Sequence, residues 1–222
     1  MPSQIRGTLG VAMILAPLLG LVSALVAPAL KGDAAAKLGE ISQHQDRWYL
    51  YAVFITISGW LLVPAVLGLI WTVSERAPRL ALIGGGLALL GVVVAIGDGT
   101  VELMYWQMGA AGADRAQMAA LADRYESATG ISLIFTIGGL ALIGGLVLLA
   151  IALRRTRTAP AWAAVGIPLG AVVNIAGFSA NSNALVIASN VVLLAALGRI
   201  GLLAVADPAA DRRVLLPHAT TN

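Results

Sequence analysis

The chain has 222 residues, 59% of them hydrophobic and only 11% charged, whereas soluble domains carry roughly a quarter charged residues. It contains no cysteine, which excludes disulfides, thiolate metal sites and cysteine nucleophiles. The net charge of +3 comes from basic residues scattered over short connections, a pattern that points to membrane topology and not to nucleic acid as a partner.

Six apolar runs are long enough to cross the roughly 30 Å of bilayer hydrocarbon as helices of about 20 residues. They lie near 8–30, 49–73, 80–106, 128–153, 160–178 and 183–205. The expected fold is therefore an all-α, six-span membrane bundle over residues 1–205, followed by a polar tail at 206–222. The first run carries a cleavage-like Ala27-Pro28-Ala29, but its apolar stretch exceeds that of a signal peptide, so it reads as a retained span.

An even number of spans puts both termini on one side. That side carries Arg6, Arg76, Arg79, Arg154, Arg155, Arg157, Arg199, Arg212 and Arg213, and the other carries Lys31, Lys37, Arg47, Arg115 and Arg124. The positive-inside rule then predicts that both termini are cytoplasmic. Two outer connections are long. "KGDAAAKLGEISQHQDRW" (31–48) has helical composition, and in "GAAGADRAQMAALADRYES" (109–127) Met118, Leu121 and Tyr125 have the spacing of an amphipathic helix. "IGGGLALLG" (83–91) resembles "IGGLALIGG" (137–145). Small residues four apart, such as Gly84/Ala88, Ala141/Gly145 and Gly166/Gly170, predict close helix packing.

The third span breaks its own pattern with "AIGDGTVELMYW" (95–106). Counted from Arg79, Asp98 falls roughly 27 Å along the helix, in the outer third of the membrane, with Glu102 one turn beyond. Gly97 and Gly99 loosen the helix beside Asp98, each costing about 1 kcal/mol relative to Ala. Polar and aromatic side chains of other spans fall at the same depth: Tyr51, Tyr105, Trp106, Tyr125, Glu126, Asn174, Phe178, Asn183 and Asn190. Interfacial anchoring accounts for some of the aromatics, and hydrogen bonding between helices would account for the asparagines. Snorkelling into the outer headgroups would account for Asp98 and Glu102 if the third span ended early, whereas a carboxylate within a span is costly and marks a functional site by default.

Elimination narrows the chemistry. His44 and His218 are the only histidines, too few for a hydrolase triad or a multi-histidine metal site. Haem ligation by His44 with Met104 or Met108 would rest on a lone loop histidine, and Ca²⁺ binding at the carboxylates has no loop motif behind it. No metal or cofactor is expected. Carboxylates at i and i+4 in low dielectric do not both ionise cheaply, so one is expected to stay protonated. Such an acid serves a general-acid reaction on an apolar substrate or a transporter's proton relay.

The glycine-containing first span, the loop "KGDAAAKLGEISQ" and the basic turn "LRRTRTAPAWAAVGIPLG" resemble small six-span bacterial membrane proteins of unknown function over about residues 5–205. That resemblance implies a bacterial plasma-membrane location and brings no activity with it. In size, helix count and its acid-plus-aromatic set, the chain is also similar to small integral-membrane terpene cyclases. That likeness implies cofactor-independent, protonation-initiated cyclisation of a prenylated, lipid-like substrate. Asp98 or Glu102 would be the acid, with Asn174 and Asn190 positioning it. A proton-coupled transporter or a non-catalytic binder of lipids or small hydrophobic molecules has the same residues to draw on.

Overall fold

A computed structural model of the chain describes residues 3–29 and 33–206. Lys31, Arg212, Arg213, His218 and the expected tail from residue 207 onward lie outside the described residues. Those described form eight helices and no strand: α1 (Ser3–Val26), α2 (Ala34–Gln43), α3 (Gln45–Ser74), α4 (Pro78–Met108), α5 (Arg115–Glu126), α6 (Thr129–Thr156), α7 (Ala161–Ser179) and α8 (Asn183–Ala206). Six of them, all but α2 and α5, are long and apolar enough to cross a membrane. The protein is an all-α polytopic bundle.

Helix limits follow local chemistry. α1 stops at Val26, short of the expected residue 30, because Pro28 disfavours helical geometry in the residue before it. α4 starts with Pro78 at a first-turn position, where its missing N–H costs nothing. The two loop helices are capped by aspartates. Asp33 accepts from Ala36 N at 2.7 Å, and Asp114 accepts from Ala116 N at 3.0 Å and Gln117 N at 3.2 Å. α2 and α5 occupy the two long connections and pack on each other, so both lie at one end of the bundle. We call this the loop end and its opposite the terminal end.

The spans form a closed ring in the order α1, α3, α4, α6, α7, α8, with α8 returning to α1. Small residues set the tightest approaches. A Cβ placed on Gly84 would come within 3.1 Å of Gly145 O, and one on Gly91 within 2.6 Å of Gly138 O. The two look-alike strings of α4 and α6 therefore pack against each other in antiparallel register. α7 meets α8 in the same way, since a Cβ on Gly170 would sit 2.6 Å from Leu193 Cγ. At the terminal end, Val73 of α3, Leu149 and Leu153 of α6 and Ile200 of α8 are fully buried in one hydrophobic cluster. Toward the loop end the ring stays open inside.

Candidate functional site

That internal space is a cavity of about 410 Å³, to which all six spans contribute wall, a size within the ordinary range of small-molecule sites. On α7 the lining runs from Ile167 to Ser179, twelve residues or roughly 18 Å of helix rise. The chamber is thus long and narrow. It extends past the midpoint of α7 toward the terminal end, and the first span joins its wall through Pro17, Gly20 and Ser23.

The deep end is apolar, lined by Leu69, Leu146, Ile167 and Leu197. Polar groups gather toward the loop end: Ser23, Tyr51, Asp98, Asn174, Ser179 and Asn190. Ser58 stands between the two zones and donates to Ala16 O at 2.7 Å. Both asparagines turn their amide N–H groups into helix α8. Asn174 Nδ2 donates to Ser189 Oγ at 2.8 Å, and Asn190 Nδ2 donates to Val186 O at 2.9 Å. Neither Oδ1 meets a donor among the described residues, and that of Asn190 lies against Gly20. The absent side chain of Gly20 keeps this acceptor uncovered.

Asp98 lines the chamber and has no hydrogen-bond or ion-pair partner among the described residues. Glu102, one turn on, faces elsewhere. Its Oε1 lies 3.1 Å from Lys37 Nζ of α2, with side-chain exposures of 12% and 18% for Glu102 and Lys37. The same ammonium sits 3.7 Å from the centre of the Tyr105 ring and 5.8 Å from that of Trp48, a cation–π arrangement. The Trp48 indole N–H lies beside the Glu102 carboxylate without closing a hydrogen bond, and Glu102 Oε2 is likewise buried and unpartnered. The two acids thus occupy different environments: Asp98 is exposed along the chamber wall, whereas Glu102 is buried beneath a loop helix.

The remaining sequence-predicted residues divide the same way. Tyr51 and Phe178 line the chamber. Tyr105 and Glu126 do not; the Tyr105 hydroxyl donates to Glu126 Oε1 at 2.5 Å and ties α4 to the end of α5. Trp106 packs against Tyr49, ring centres 4.8 Å apart, with its indole N–H buried and unpartnered. Asn183 Nδ2 donates to Pro28 O at 3.0 Å, joining the start of α8 to the segment after α1. Tyr125 stands behind the wall on α5. Partial burial pushes its phenol above the ordinary value, and the charges of Asp98, Glu102 and Glu126 add to that.

Sequence reasoning missed Lys37, Ser23, Ser58 and Phe135. The serines and Phe135 line the chamber, and the serines carry the signal used for the asparagines, a polar side chain inside an apolar span. Lys37 had only its charge to mark it. Among the described residues no three His, Asp or Glu side chains gather to hold a metal ion. In comparisons with family models, curated proteins and solved structures, nothing matches this chain.

Proposed function

We propose that the protein is a membrane enzyme that takes a prenylated, lipid-like molecule into the chamber and cyclises it with Asp98 as general acid. The observation that supports this most is the unpaired carboxyl of Asp98 at the polar end of an elongated cavity whose other end is apolar. The apolar end accepts the hydrocarbon, while the asparagine carbonyls and Ser23 hold an oxygen-bearing end beside the acid. The Asp98 proton passes to an alkene carbon, whose π pair forms the new C–H bond and leaves a cation on the neighbouring carbon. A second alkene attacks that cation to close a ring, and the carboxylate then takes back a proton from an adjacent carbon. Mass is unchanged and no cofactor is consumed. The rings of Tyr51, Phe135 and Phe178 offer faces to the cation.

In this reading the terminal end, richer in arginine, faces the cytoplasm of a bacterial plasma membrane, and the chamber lies nearer the outer surface. Proton-coupled transport fits less well, because Val73, Leu149, Leu153 and Ile200 are fully buried in one hydrophobic cluster at the terminal end. A second reading, binding of the same class of molecule without chemistry, is favoured by the small number of rings in the wall. Incubation of the purified protein with prenylated candidates tests both. A product of unchanged mass and shifted retention, lost in Asp98→Asn, supports the enzyme. Saturable binding without product supports the binder, and activity that survives Asp98→Asn overturns the acid assignment.

A further inference from the structure

The terminal end carries a second concavity, unconnected with the chamber's chemistry. A groove of about 560 Å³ lies where the α3–α4 turn meets the end of α6, lined by Arg76, Arg79, Arg155, Leu80 and Thr156 among others. Arg76 Nη1 donates to Thr156 O at 3.3 Å and so bridges the two turns across the groove floor. Neither Arg79 nor Arg155 has a partner among the described residues, and the sole described acid at this end is Glu75, which pairs with none of them. Three arginines around one hollow suit a phosphate-bearing anion, to which arginine presents a planar fork of donors.

The surface beside the groove identifies the rest of the ligand. On α4, Arg79 heads an outward stripe with Ile83 and Leu87 at four-residue spacing, Ile83 being 57% exposed and neighbouring Leu82 77%. On α6, Arg155 heads a matching stripe with Ile151 and Val147, both exposed. Each arginine therefore sits at the end of an apolar track running toward the middle of the bilayer. A free phosphate has no use for such tracks, whereas acyl chains do. We propose that this groove holds the headgroup of an anionic phospholipid, with its chains laid along the outer faces of α4 and α6.

Native mass spectrometry of the delipidated full-length protein, mixed with phosphatidylglycerol or phosphatidylcholine, tests this. The wild type is expected to retain phosphatidylglycerol in preference to phosphatidylcholine. R79Q/R155Q should weaken that retention roughly thirtyfold, while R154Q/R157Q, which removes the same charge outside the groove, should leave it unchanged. Equal losses in the two variants would show diffuse charge attraction and overturn the site, as would equal retention of both lipids. Displacement of the lipid by inorganic phosphate alone would assign the groove to a soluble anion and also overturn the proposal. If the double variant does not fold, R79Q alone carries the test: a roughly fivefold loss is expected, and no loss overturns it.

Discussion

Lys37 Nζ lies 3.1 Å from Glu102 Oε1, so a charge from loop helix α2 ends on a carboxylate of spanning helix α4. The pair is mostly buried and is boxed by the Tyr105 and Trp48 rings. Removing one partner strands the other charge. Lys37→Met should therefore lower stability by about 3 kcal/mol, whereas Lys37→Met combined with Glu102→Gln should recover most of that loss. Denaturation of the four proteins of this double-mutant cycle in detergent measures the coupling. Additive effects would mean that the pair does not hold α2 in place.

The two acids should separate in activity assays. Asp98→Asn is expected to cut turnover by a factor of about 10² to 10⁴, the usual contribution of a general acid, with ligand binding retained. Glu102→Gln should act mainly on stability and leave turnover within a fewfold of wild type. Product formation under matched folded-protein concentrations reads the difference. Equal loss in both variants would return Glu102 to the catalytic machinery.

Helix packing makes a paired prediction on adjacent glycines. A Cβ on Gly145 would run into the backbone of Ala88 and come within 2.6 Å of Gly84 O, while one on Gly144 would meet nothing within 4 Å. Gly145→Ala should force α4 and α6 apart and lower the melting temperature. Gly144→Ala should be neutral or should stabilise, by up to about 1 kcal/mol through helix propensity.

The chamber can be filled from its own wall. Gly139 lines it, and a Cβ there would rest 3.7 Å from Ile175 Cδ1, an ordinary contact. Gly139→Leu is expected to fold, to keep or raise thermal stability, and to weaken binding of long prenylated molecules more than short ones. Binding isotherms across a chain-length series check the trend, and equal affinity for all lengths would place the ligand elsewhere.

The Tyr105–Glu126 bond offers a test of the loop end alone. Tyr105→Phe removes a 2.5 Å hydrogen bond at a cost of about 1 kcal/mol. Amide exchange should then speed up in α5 and remain unchanged in α7 and α8.

The spans were legible in sequence because a bilayer demands long apolar runs, and nothing in tertiary structure can override that requirement. The loop helices were legible from composition, but the face expected from the 118/121/125 spacing was not: Leu121 is exposed, and Ala122 is the residue α5 buries. The site was only half legible. Four-residue spacing places Asp98 and Glu102 on one face of α4, but it does not say what stands opposite each turn. Asp98 faces the open ring, and Glu102, one turn higher, meets a lysine 65 positions earlier in the chain. Tyr105 and Trp106 fell at the right depth but do not line the chamber: Tyr105 meets Lys37 of α2 and Glu126 of α5, and Trp106 packs on Tyr49 of α3. Depth is set by counting along one helix; neighbours are set by how six helices close a ring.

Val73, Leu149, Leu153 and Ile200, all fully buried, bear on timing as well as on shape if the proposed reaction is right. A guest in a chamber stopped at that end would have to leave by its way in. A product close in size to its precursor would then compete for the passage, and turnover would slow as product accumulated even while precursor was abundant.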